Sequence, residues 1–137
     1  FDLPTDAQWE YACKAGTHTN YSYGNDISGD YVWFVSNSGN QTHEVGDRLA
    51  NPWGLYDMHG NIWEWCLDWY SSTYYQTCYD LGTISDPMGP TTGSSRVSRG
   101  GSWENGAGAS MSSRRFQYLP DYRVGTIGFR IVAVGQD

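Results

Sequence analysis

Lys14 is the only lysine in the chain, and no apolar run reaches the ~18 residues that a membrane-crossing helix needs. Residues 1–95 carry twelve carboxylates against Lys14 and Arg48. Binding a phosphate backbone takes a positive surface, so this imbalance argues against nucleic acid as a partner. Cysteine is scarce as well: Cys13, Cys66 and Cys78 are too few and too scattered for a disulfide scaffold. In an exported protein Cys66 and Cys78 would pair across the intervening loop; otherwise three free, mostly buried thiols are expected. No signal-peptide pattern is visible, and a chain opening on Phe1 leaves the question of a removed leader open. With 3 Met, 4 Phe and only 39% hydrophobic residues, the apolar bulk falls to 7 Trp and 11 Tyr. A length of 137 residues supports one core and one domain, and 17 glycines predict many tight turns.

The positive charge sits at the other end. Residues 96–137 hold six arginines against Glu104, Asp121 and Asp137. Either these arginines pair with the acidic part inside one fold, or they form an anion-binding face.

Local patterns predict an α+β domain rich in coil. In LPTDAQWEYACKAG (3–16), Thr5 and Gln8 stand as a capping box. Trp9, Ala12 and Cys13 then share a helical face, and Gly16 ends the helix. YVWFV (31–35) has strand composition, with a return through EVG (44–46). In IWEWCLDWY (62–70), Glu64, Cys66 and Asp68 alternate with Trp63, Trp65, Leu67 and Trp69. That predicts a strand with an aromatic wall on one face and a row of acids on the other. Residues 71–95 read as coil, RVSRGGSW (96–103) as a strand reaching a glycine pair, and IGFRIVAV (127–134) as the clearest strand.

Glu64 is the sharpest site candidate, because it follows the tight turn at Gly60. Hard cations such as calcium take carboxylate and main-chain oxygens of this kind; the competing reading is a carboxylate accepting local N–H bonds. Asp57 and Asp68 would equally serve as turn caps. His18, His43 and His59 lack metal-ligand spacing, no serine lies in a nucleophile elbow, and the glycine pair 100–101 has no phosphate-loop lysine. Arg114, Arg115, Arg123 and Arg130 would grip a carboxylate or lock coil segments internally.

Taken together, LPTDAQWEYACKAG, VGDRLANPWGLYDMHGNIWEWCLDWY, RVSRGGSW and IGFRIV, in this order and spacing, resemble the formylglycine-generating enzyme, or sulfatase-modifying factor, family. The resemblance covers nearly the whole chain. It implies one domain over 1–137 that lacks the N-terminal segment of full-length members, a C-type-lectin-like α+β fold of short twisted strands, and indoles acting as core anchors. It also implies a calcium ion held by the carbonyls of His59, Gly60 and Ile62 and the carboxylate of Glu64. A second family calcium loop corresponds to YVWFVSNSGNQTHEVG, where Tyr31 replaces an asparagine, so that site is not expected. Enzymatic members hold copper through two cysteines between RGGS and GFR. Residues 103–127 contain no cysteine, and serine or methionine cannot replace a thiolate pair for copper(I). Neither copper nor iron is therefore expected.

The resemblance thus implies a non-catalytic module that binds or displays a protein or small ligand, in an extracellular or periplasmic setting. The alternatives are an oxidase of the formylglycine-generating or sulfoxide-synthase type with catalytic ligands outside this chain, and a diversity-cassette protein presenting residues 104–127. A separate N-terminal half of the domain is a further expected partner. On the 104–127 face, Arg114, Arg115, Phe116, Tyr118, Tyr122 and Arg123 are the expected ligand contacts: aromatics give area at low ordering cost, and arginines add directional donors.

Overall fold

The computed structural model describes residues 1–133 and residue 135. Its first element, α1 (Asp6–Lys14), starts as the sequence predicts. The Gln8 N–H donates to the Thr5 hydroxyl oxygen at 3.1 Å, and the Thr5 N–H donates to Gln8 Oε1 at 2.9 Å. A third helix-start amide, that of Asp6, donates to Asp68 Oδ2 at 2.7 Å, so a distant carboxylate also caps this helix. Ala15 takes the left-handed conformation at the helix end (φ 47°). Trp9 and Cys13 face inward and pack with Met58, Cys66 and Val97, flanked by Ala12, Leu55 and Tyr70.

The sheet that α1 covers has four strands: β1 (Trp63–Trp69), β2 (Arg96–Arg99), β3 (Arg115–Tyr118) and β4 (Ile127–Gly128). Their order is β3-β2-β1-β4, with β2 antiparallel to β1 and β3, and β4 parallel to β1. The alternation along β1 is real, but the acids take the inside. Glu64 and Asp68 are buried together with Cys66, whereas Trp65, Leu67 and Trp69 are only half-buried. Burying carboxylates is tolerable only where donors meet them, and here they do. Glu64 Oε2 accepts from the Trp9 indole N–H at 2.6 Å, and Asp68 accepts from the Asp6 amide.

Arg99, opposite Glu64 in the β1–β2 register, is fully buried. All five of its N–H groups are used. Nε donates to Asp6 Oδ1, Nη2 to Glu10 Oε2 (2.7 Å) and the Tyr75 hydroxyl (2.9 Å), and Nη1 to the carbonyls of Ser112 (3.0 Å) and Arg114 (3.3 Å). The guanidinium stays charged, since the attraction of Asp6, Tyr75 and Glu10 outweighs the cost of burial. Burial also pushes on Glu10, yet Arg99 and Lys14 hold its carboxyl below the usual range.

Several sequence expectations are corrected. Residues 31–35 form no strand: the Trp33 carbonyl accepts from the Asn61 amide and the Val32 carbonyl from the Asn37 side chain, so their backbone is spent on loops. The EVG segment forms none either. Within 71–95 lies a second helix, α2 (Tyr74–Leu81), which buries no residue completely and therefore shows no clean apolar stripe in sequence. The strand read over 127–134 is laddered only at Ile127–Gly128, with an isolated bridge from Val132 to Asp2; residue 134 lies outside the described residues. Of the tryptophans, Trp9 and Trp63 are core anchors, but Trp53 is 48% exposed. All three cysteines are free. No helix is long and apolar enough to cross a membrane among the described residues.

Replacing Arg99 by Met would leave the buried Asp6 with Arg115 alone and the half-buried Glu10 with Lys14 alone, and would break the links to Tyr75, Ser112 and Arg114. Urea denaturation is expected to show a loss of roughly 3–5 kcal/mol, and a loss below about 1 kcal/mol would contradict this role.

Candidate functional site

Two places in the fold gather the residues singled out by sequence. The first is a cavity of about 410 Å³ at the HGNIWE turn, lined by Asp57, Gly60, Ile62, Glu64 and Arg130 among others. Gly60 is required there by close approach, because a Cβ would lie 2.3 Å from the Trp33 carbonyl oxygen. Arg130 grips Glu64 with both arms of its fork, Nε to Oε2 at 2.6 Å and Nη2 to Oε1 at 2.7 Å, and reaches the Tyr56 carbonyl at 3.0 Å. The pKa of Arg130 is raised: Glu64 more than compensates for burial.

His59 does not line this cavity. Its Nδ1 lies 2.8 Å from the Ser110 carbonyl, which fixes the proton on Nδ1, so Nε2 accepts from the Ser22 amide (3.2 Å) and hydroxyl (2.9 Å). Burial lowers the histidine pKa and keeps the ring neutral. The ring thus ties the residue 110 turn to the residue 22 turn. Asp57, read from sequence as a turn cap, is the carboxylate that joins Glu64, Gly60 and Ile62 in the cavity, and it does also cap, accepting from the Gly46 amide at 2.7 Å. Asp57 and Glu64 are the carboxylates of this cavity, and both Glu64 oxygens already accept hydrogen bonds, Oε1 from Arg130 and Oε2 from Arg130 and Trp9.

The second place is the outer face of the sheet. The 104–127 segment is no plain display loop: after a 3-10 turn (Ala107–Ser110) it joins the sheet as β3. Its root is tightly held. Gly101 has φ 75°, and a Cβ there would meet Ser110 Oγ at 2.7 Å, while Arg99 grips the Ser112 and Arg114 carbonyls from below. From this base an aromatic ladder runs across the outer face. Trp63 meets Phe116 at 5.5 Å, Phe116 meets Tyr118 at 5.2 Å, Trp65 meets Tyr118 edge-on at 6.0 Å, and Tyr118 stacks on Tyr122 at 4.8 Å. Phe116 is 43% and Tyr122 44% exposed, with Tyr118 half-buried between them.

Arg114 and Arg123 are exposed, the latter following Tyr122 in the chain, but Arg115 is not part of the face. It turns to the inner side, 2.8 Å from Asp6 Oδ2 and over the rings of Tyr70 and Tyr75. Strand alternation explains the difference, since Arg115 is in register with the buried Arg99 and Phe116 with Ser98. Sequence reasoning missed Trp65 and Arg96 as members of the face. For Trp65 the signal was the aromatic wall along residues 62–70, which is the half-open side; for Arg96 it was its place at the start of the strand read over 96–103.

The fold and face define a coil-rich α+β domain that lays an aromatic surface on a short mixed sheet. The chain belongs to the sulfatase-modifying factor enzyme 1-like domain family, which matches residues 1–134. Among curated relatives, the formylglycine-generating enzyme of Streptomyces coelicolor is 34% identical, over 93% of this chain and 45% of its own length. The serine/threonine-protein kinase pkn1 of Chlamydia caviae is 38% identical, over 93% of this chain and 20% of its own. Among solved structures, Treponema denticola variable protein 1 superposes with a TM-score of 0.76 at 36% identity, covering 93% of this chain and 45% of that one. PvdO from Pseudomonas aeruginosa gives 0.78 at 25% identity, covering 93% and 50%. The chain therefore spans half or less of the length of each of these relatives.

Proposed function

We propose that this chain is a non-catalytic member of its family, a binding or display module that presents the sheet's outer face to a protein. The observation that carries the reading is the joint exposure of Phe116 and Tyr122, bridged by Tyr118, on a segment rooted by Arg99. Apolar surface held open on a rigid base is what a binding site needs. The likeness to a variable protein supports presentation by 104–127.

The chemistry of the cysteines supports the same reading. Copper(I) selects thiolates, and residues 103–127 have none to offer. Cys13 and Cys66 are buried in the core, where burial pushes the Cys13 thiol up to about 12 and that of Cys66 well above its ordinary value. These residues do not fit a copper site.

A random peptide library panned against the chain tests the binding reading. Selected binders are expected to lose at least tenfold in affinity for Phe116→Ala/Tyr122→Ala and to keep it for Tyr79→Ala, a change at an 82% exposed ring on α2. Equal losses in both variants, or no selectable binder, would overturn it.

For the turn we propose the calcium ion that the family resemblance implies, held by the carbonyls of His59, Gly60 and Ile62 and by the Glu64 carboxylate, where it competes with Arg130 for the Glu64 oxygens. Calcium is expected to raise the melting temperature of the wild-type chain and to leave Glu64→Gln unmoved. Coincident titration curves for the two proteins would reject the ion.

A further inference from the structure

Resting on the binding reading, the ligand chemistry can be narrowed. Next to the aromatic ladder lies a cleft of about 280 Å³ lined by Leu3, Trp65, Cys66, Leu67, Arg96 and Pro120. It is smaller than the ~300–1,000 Å³ of ordinary small-molecule pockets and suits a single large side chain. Its lining is apolar apart from Arg96, so it offers none of the several polar groups that would orient a sugar's hydroxyls.

Arg96 is held in place rather than left free. Its guanidinium carbon lies over the Trp69 ring, 3.6 Å from the centroid, and Nη1 donates to the Leu67 carbonyl. Nε and Nη2 make no hydrogen bond to the described residues and are not buried. Two donors of a planar fork therefore stay open at the lip of an apolar cleft, in the arrangement that receives a carboxylate.

Charge points the same way. Lys14, Arg99, Arg115 and Arg130 are in ion pairs. Among the described residues Arg48, Arg96, Arg114 and Arg123 are in none; Arg48 lies over the Trp33 ring, while Arg96 and Arg123 border the outer face. Arg96 stands opposite Tyr118 in the β2–β3 register, Tyr118 stacks on Tyr122, and Arg123 follows. In a chain of net charge −7, two unpaired arginines thus lie at this apolar surface, with Glu104, near Tyr118, as the opposing charge.

We infer that the outer face takes an acidic peptide segment, seating one apolar side chain between Leu3, Trp65, Leu67 and Pro120 with a neighbouring carboxylate on Arg96. The aromatic ladder covers the rest of the segment, and Arg123 meets further acids. Binding of this kind weakens with salt, because the rim arginines act through solvent.

Amide NMR of the labelled chain tests the inference with three defined probes: N-acetyl-Glu-Leu-Glu-amide, N-acetyl-Lys-Leu-Lys-amide and methyl α-glucoside. The acidic tripeptide is expected to give saturable shifts at Leu67, Arg96 and Tyr118, at roughly millimolar concentration. The basic tripeptide is expected to bind at least fivefold more weakly, and the glucoside not at all. Arg96→Gln should lose at least fivefold in affinity for the acidic probe while the α1 amides keep their positions. If that variant fails to fold, the charge reversal of the probe still decides. Equal response to both peptides, response to the sugar, unchanged binding by Arg96→Gln, or no saturable shift would each overturn the inference. Library binders that depend on Phe116 and Tyr122 but not on Arg96 would leave the binding reading standing while this one falls.

Discussion

One buried guanidinium organises this molecule. Arg99 is the point at which α1, α2, β2 and the start of β3 are joined, through Asp6 and Glu10, Tyr75, its own strand, and the carbonyls of Ser112 and Arg114. Short elements bury too little apolar area to fix their mutual positions by packing alone, and among the described residues the cluster beneath α1 joins just Trp9, Cys13, Met58, Cys66 and Val97. A planar cation with five donors aimed in fixed directions supplies the orientation that packing does not. The same logic repeats at smaller scale, in the Arg130–Glu64 pair at the HGNIWE turn and in the Asp68 carboxylate that caps α1 from across the sheet.

The inward turn of the acids has a consequence for the outward side. Because Glu64, Cys66 and Asp68 occupy the inner face of β1, strand alternation forces Trp65, Leu67 and Trp69 outward. The polar network that holds the fold together thereby leaves an aromatic surface open to solvent. Framework and surface are built from alternate residues of the same strands: Arg99 and Arg115 on one side, Ser98 and Phe116 on the other.

Much of this was legible in the sequence. The capping box around Thr5 and Gln8, the alternation along 62–70 and the family motifs located α1, β1 and β2 and pointed to the 104–127 face. What failed did so for physical reasons. Residues 31–35 have strand composition, but composition does not say that Asn61 and Asn37 will claim their carbonyls. The helix at 74–81 buries nothing completely, so the apolar period that announces a helix is missing. Which face of β1 would be buried depended on Trp9 and Arg99 as partners, far away in sequence. Asp57 shares the cavity with Glu64, and its capping contact with the Gly46 amide rests on a loop that sequence composition does not place.

The central claim is that the aromatic surface is separable from the framework beneath it. The most direct measurement is the unfolding free energy of Phe116→Ala/Tyr122→Ala against the wild-type chain. Rings that are 43% and 44% exposed and pack on Trp63 and Tyr118 at the edge of the core predict a combined loss of about 1–2 kcal/mol. A loss of roughly 3 kcal/mol or more, the cost of truncating buried aromatics, would show that these rings belong to the core and contradict the account.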